Sequence, residues 1–200
     1  MQDAQNGPPE LSTARLVLRK WKAADRAPFA RMNADPIVME YLPAPLSADE
    51  SNAFVDRIER HFDELGWGLW AVEVRATESF VGYVGLWPAT FAAHFTPAVE
   101  VGWRLAQAYW NHGYATEAAK VVLNDGFDRL GFDEIVSFTA VANARSQRVM
   151  QKLGMTHDPH DDFDHPNLPA GHRLQRHVLY RVTGGVRSRE AGRRPGLTNV

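Results

Sequence analysis

The chain has 200 residues, 44% of them hydrophobic, and 22 Lys and Arg set against 24 Asp and Glu give a formal net charge of -2. That length buries one sizeable core without staples, and mixed charges near balance exclude a nucleic-acid binder or membrane anchor that works by basic charge alone. With no cysteine, disulfides, thiolate zinc sites and a cysteine nucleophile are excluded together.

Residues 1–12 are polar with Gly7, Pro8 and Pro9, which predicts a flexible arm. Leu16 and Leu18 alternate with Val17 and Arg19 up to Trp21, a strand pattern. Asp25 suits the cap of a short helix through Met32. Asp35 with Pro36 repeats the signal for a short helical piece over Ile37 to Tyr41. Ser47 and Glu50 have the spacing of a capping box, and Ala53, Phe54, Ile58, Phe62 and Leu65 then recur at helical intervals. Gly68 to Arg75 and Phe80 to Trp87 read as a hairpin. In Val99 to Leu105, Val99, Val101, Trp103 and Leu105 fall on one side of a strand, with Glu100, Gly102 and Arg104 on the other.

The stretch from Trp110 to Ala119 reads as a turn feeding a helix. Gly113 can take a left-handed backbone, and Thr116 and Glu117 suit a first helical turn. Such a start presents free N–H groups and the positive end of the helix dipole, a seat for a phosphate; an ordinary loop into an ordinary helix is the bland alternative. The helix runs on to Leu130 and Gly131 stops it. Ile135 to Val141 is a strand, and Asn143 caps a helix from Ala144 to Leu153, with Gly154 after it. Residues 157–176 are polar and broken by prolines, His177 to Val182 forms a last strand, and residues 184–200 read as a disordered tail. One domain over residues 13–183 is expected. The element order predicts an α+β or mixed α/β fold with helices on both faces of the sheet. No apolar run spans a bilayer, and residues 1–9 carry no signal-peptide pattern, so a cytoplasmic protein is expected.

Glu100 to Leu105, then Tyr109 to Ala118, then Asn143 to Met155 resemble, in order and spacing, the cofactor-binding core of the GNAT superfamily of acetyl-CoA-dependent N-acetyltransferases, in its ribosomal-protein N-terminal acetyltransferase-like branch. Arg15 to Arg19, Asn33 to Pro36, Gly68 to Val72 and His177 to Tyr180 extend the resemblance over roughly residues 13–183. It implies a GNAT-type acyl-CoA N-acyltransferase fold, a mostly antiparallel mixed sheet splayed at its centre. It also implies acetyl-CoA as cosubstrate, without a metal, and transfer to a primary amine in a ternary complex. The acceptor would be a small molecule or a protein N-terminus; neither nucleic acid nor membrane is an expected partner, and a homodimer would be ordinary.

By the same resemblance, Trp103, Arg104, Leu105, His112, Gly113, Tyr114, Ala115, Thr116 and Asn143 would hold the cofactor, its pyrophosphate on the amides of His112 to Thr116. Family members commonly carry Arg or Gln where this chain has Trp110, so the seat should rest on backbone amides alone. Glu100 is the candidate base, with a loop carboxylate as the alternative. Many relatives place a tyrosine proton donor where this chain has Met150, and a thioether cannot donate. The branch points instead to Ser146. Asn143 reads equally as a plain helix cap, and Ser146 as a plain first-turn serine. The His157 to His165 cluster matches no fixed metal-ligand pattern; Asp162 or Asp164 is expected to wall the acceptor pocket and attract a cationic amine. A non-catalytic CoA-binding regulatory domain of the same fold is the alternative function.

Overall fold

The computed structural model describes residues 9–184. In chain order these form β1 (Leu11–Ser12), β2 (Leu16–Arg19), α1 (Arg26–Ala34), α2 (Ala48–Leu65), β3 (Leu69–Val74), β4 (Ser79–Ala89) and β5 (Ala98–Leu105). Then follow α3 (Tyr114–Asp128), β6 (Glu134–Ala140), α4 (Ala144–Lys152), β7 (Thr156–His157), β8 (Phe163–Asp164) and β9 (Arg176–Thr183). One mixed sheet runs β1-β2-β3-β4-β5-β6-β9-β7, with β8 also pairing β9. Every pairing is antiparallel except β5 with β6, which share the single register pair Glu100 and Val136. Past that pair the two strands part, so the sheet is splayed at its centre as expected.

The sheet's two faces follow from pleat parity on β4. Tyr83 and Trp87 point to the face covered by α1 and α2: Tyr83 meets Phe29 at 6.0 Å and Phe54 at 5.9 Å, and Trp87 meets Phe54 at 6.5 Å between ring centroids. Leu86 points the other way, its tip against Gly126 of α3. Register carries this to β5, where Glu100 and Arg104 pair with Trp87 and Tyr83 and share the α1 and α2 face, while Val101 pairs with Leu86 and faces α3. A second buried group, Val136, Phe163 and Leu179 with Phe91, Phe95, Ala98 and Phe138, extends the Glu100 face beyond β6.

The capping box of α2 forms as read: Ser47 Oγ accepts from the Glu50 amide and Glu50 returns a bond to the Ser47 amide. The buried stripe of this helix is rotated from the expected one. It runs through Ser51, Val55, Ile58 and Phe62, leaving Leu65 exposed, and the buried Ser51 hydroxyl accepts from Asn33 Nδ2 at 2.9 Å.

Three further expectations change. Residues 1–8 of the expected arm lie outside the described residues, but Leu11–Ser12 pair with Val17 and Leu18 instead of hanging free. Residues 37–41 form hydrogen-bonded turns, not a helix. Residues 157–176 contain two-residue strands that dock on β9. The expected tail falls, beyond Gly184, outside the described residues.

Candidate functional site

Where β5 and β6 part, a cleft of about 380 Å³ opens. Its floor is the end of β5, Trp103 to Leu105; one wall is the turn and first helical residues from Tyr109 to Thr116. The facing wall is Thr139 of β6 with Asn143, Arg145, Ser146, Arg148, Val149 and Lys152 of α4. The cleft passes through the sheet. It is lined by Trp103 and Leu105 on the α3 side, and by Tyr83, Arg104 and the Ile37 to Leu42 turns on the other.

The turn before α3 is set by two left-handed residues, Asn111 at φ 63° and Gly113 at φ 81°. Gly113 is the helix N-cap, and the first intrahelical bond runs from the Glu117 amide to the Gly113 carbonyl at 3.0 Å. The amides of Tyr114, Ala115 and Thr116 therefore precede the hydrogen-bond ladder and face the cleft end of the dipole. Trp110 fastens the turn to β5, its Nε1 donating to the Leu105 carbonyl at 2.7 Å. From the back, the Glu117 carboxylate accepts from Thr13 Oγ1, the Arg15 amide and Arg15 Nε, pinning the first hairpin to the helix start. Those bonds hold the Glu117 carboxyl below the usual carboxylate range against the opposing effect of burial.

Cations stand beside the amides expected to seat an anion. Arg145 lies 4.6 Å over the Trp110 ring and pairs with Glu40 at 2.7 Å, and Arg148 and Lys152 line the same wall. Trp110 contributes no charge of its own but seats a cation beside the turn. These three α4 cations escaped the sequence reading, which had no way to tell which side of a nine-residue helix faces the cleft. A signal was present in their spacing: positions 145, 148 and 152 share one helical face.

Of the expected cofactor contacts, Trp103, Arg104, Leu105, Gly113, Tyr114, Ala115, Thr116 and Asn143 line the cleft. His112 does not. Its ring stacks on Tyr114, and its Nδ1 lies 2.8 Å from the Trp110 carbonyl. Asn143 forms the cap read from the sequence, Oδ1 accepting from the Ser146 amide at 3.2 Å, while its Nδ2 reaches Thr139 Oγ1 at 2.9 Å. Ser146 lines the cleft, and its hydroxyl makes no hydrogen bond among the described residues. Met150 is wholly buried in the core.

Glu100 lies off the cleft wall, on the α1 and α2 face of β5. Its lateral neighbours are Trp87 and Val136, and on its own strand Ala98 and Gly102 flank it on the same face. It has no hydrogen-bond or ion-pair partner among the described residues, and burial in this apolar setting pushes its carboxyl up to about 7. Gly102 leaves the strand bare between Glu100 and Arg104: a Cβ placed there would meet only Glu100 Oε1, at 3.9 Å.

The expected acidic wall does not form. Asp162 pairs with His157 at 2.7 Å, Asp161 with Arg181 at 2.7 Å, and Asp164 with Arg176 at 3.5 Å, so these carboxylates bind the loop to the fold. What borders this side of the sheet is aromatic: Phe91, Phe95, Phe138 and Phe163, with His165 and His177, whose pKa values burial lowers. Among the described residues no group of three or more His, Asp or Glu gathers as a metal site, and no helix is long and apolar enough to cross a membrane.

A cleft with free helix-start amides, three cations and a sheet opening has the donors to hold a diphosphate at one end and an extended amide-bearing arm along β5. Comparisons with known proteins give the family. A family model described as an acetyltransferase (GNAT) domain matches residues 15–156. The protein YkkB of Bacillus subtilis is 30% identical over 151 residues, covering 75% of this chain and 87% of its own. The FsC-acetyl coenzyme A-N(2)-transacetylase of Aspergillus fumigatus is 30% identical over 156 residues, covering 74% of this chain and 66% of its own. The crystal structure of a GNAT-family acetyltransferase from Bacillus anthracis superposes with a TM-score of 0.71 at 26% identity, covering 88% of this chain and 98% of that one.

Proposed function

The chain belongs to the GNAT acetyltransferase family, and from that premise we propose that it transfers an acetyl group from acetyl-CoA to a primary amine by direct attack in a ternary complex. The observation that carries this reading is the cleft running through the sheet, with an anion seat at one end and the desolvated Glu100 face beyond the other. The non-catalytic alternative finds no support in the comparisons.

Acetyl-CoA supplies the electrophile, an acetyl thioester. Its diphosphate would rest on the amides of Tyr114 to Thr116, with Arg145, Arg148 and Lys152 to neutralise it. The N–H groups at the end of β5 would polarise the carbonyl oxygen. An amine near pKa ~8, such as an α-amino group, is largely protonated at neutral pH and must lose a proton to attack. Glu100, poised near 7, would take that proton, directly or through water. As the new N–C bond forms and the C–S bond breaks, the nitrogen would lose its second proton to solvent, the Ser146 hydroxyl would donate to the departing sulfur and regain a proton from solvent, and Glu100 would release its own to solvent.

The test is an acceptor screen that follows free-thiol release from acetyl-CoA, with amino acids, short peptides and polyamines as amines. Thiol release that depends on an amine is expected. Tight CoA binding without turnover on any amine would overturn the proposal.

A further inference from the structure

Beside the cleft, on the α1 and α2 face, lies a second cavity of about 300 Å³, lined by Leu42, Pro45, Glu50, Phe54, Arg57 and Arg104. Leu42 and Arg104 line both cavities, so the two adjoin at the Arg104 side chain. Arg104 is partly buried yet pairs with no carboxylate among the described residues. Its Nη1 donates to the neutral Asn33 Oδ1 at 2.7 Å, and its guanidinium lies 5.5 Å from the Tyr83 ring centroid and 6.0 Å from that of Phe54. Asn33 is fully buried and held in turn by Ser51. A buried amide and hydroxyl thus fix the aim of a partly buried cation that pairs with no carboxylate among the described residues.

Arg57 adds a second charge on the same cavity, 5.3 Å over the Phe54 ring and likewise without an ion pair among the described residues. The cavity's carboxylate, Glu50, is bound to the Ser47 amide at 2.8 Å in the α2 cap. Two guanidiniums against that one carboxylate leave the lining net positive. Glu100 lies on the same face of β5 as Arg104, with the bare Gly102 between them.

We propose that Arg104 and Arg57 form an anion subsite for the acceptor, so that the amine accepted by this enzyme carries a carboxylate and lies over Gly102 with its amino group toward Glu100. The proposal rests on the acetyl-transfer reading above. Four same-strand steps at ~3.3 Å separate the Glu100 and Arg104 backbones by roughly 13 Å, with Glu100 Oε1 beside Gly102. The span suits an amine and a carboxylate separated by several bonds, as in a short peptide, better than a polyamine, whose second cation would meet Arg104.

The experiment compares dipeptides and amino acids with free carboxylates against their amides and against spermidine, by free-thiol release, for the wild type, Arg57→Gln, Arg104→Gln and Arg104→Lys. Acetyl-CoA affinity is measured in parallel by calorimetry. The expected result is a preference for the acid over its amide of roughly tenfold or more in KM. Arg104→Gln should erase it, Arg104→Lys should largely restore it, and Arg57→Gln should reduce it while leaving acetyl-CoA affinity unchanged. A loss of fold in Arg104→Gln would show in its thermal transition, and Arg57→Gln, on an exposed position, then carries the decision. Amine-dependent turnover with no preference for acid over amide, or a preference for spermidine, overturns this subsite and leaves acetyl transfer standing. No turnover on any amine overturns both.

Discussion

The Arg145 guanidinium lies 4.6 Å over the Trp110 ring, whose own Nε1 donates to the Leu105 carbonyl. Strand β5, the turn before α3 and the start of α4 are joined through that one indole. Trp110→Ala should weaken acetyl-CoA binding through both the loosened turn and the released cation, and Arg145→Ala through the cation alone. For Arg145→Ala a loss of roughly three- to tenfold is expected, shrinking as salt is raised. Calorimetric titration with acetyl-CoA at two ionic strengths measures it; equal affinity for wild type and both variants would remove α4 charge from the binding site.

Glu100, held near 7 by burial, should impose a rising limb on the pH profile of kcat/KM, with activity gained as the carboxyl loses its proton. Glu100→Gln should lower kcat by roughly 100- to 10,000-fold and abolish that limb. Stability moves the other way. The folded value exceeds the ordinary 4.5, so the contribution of this group is fully present below 4.5 and is lost as pH rises through about 7. Thermal melts of Glu100→Gln should therefore exceed wild type at pH 8, the gap closing below pH 4.5.

Asn143 caps α4 and Ser146 lies in its first turn, yet the two should separate in their effects. Asn143→Ala removes the cap and the bond to Thr139 and should cost about 1 kcal/mol of stability. Ser146→Ala removes a hydroxyl with no partner among the described residues and should leave the melting temperature in place while slowing turnover. Normal kcat in Ser146→Ala across pH would assign the thiolate proton to solvent.

Gly102→Ala sets a methyl 3.9 Å from Glu100 Oε1, an ordinary contact. A strand glycine costs roughly 0.5–1 kcal/mol relative to alanine, so melting should hold or rise slightly. Acceptor KM should increase, and more so in Gly102→Val, while acetyl-CoA affinity stays level. Unchanged acceptor kinetics in the valine variant would show that the acceptor does not cross this strand.

Much of this arrangement is legible before folding. Ser47 and Glu50, Asn143 and the alternation of Val99 to Leu105 are local patterns whose physics is complete within a few residues, and each forms as read. What escaped depends on partners far along the chain. Leu11–Ser12 is too short to show a period and becomes a strand only beside β2. Arg145 acquires its place from Trp110 and Glu40, and Asp162 is taken by His157 instead of an amine. The α2 stripe includes Ser51, whose hydroxyl meets the buried Asn33, a polar pairing invisible to a count of apolar positions.

The bonds from Thr13 and Arg15 to Glu117 span 104 and 102 residues, so the brace behind the start of α3 closes only when distant parts of the chain meet. A segment containing the turn and α3 alone has the glycine and the helix start but lacks the hairpin that braces them from behind. Such long-range closure is slow to form and lost as a unit. Affinity for the cofactor should therefore vanish together with the docking of the first hairpin, so that binding reports whether the two ends of this half of the chain have met.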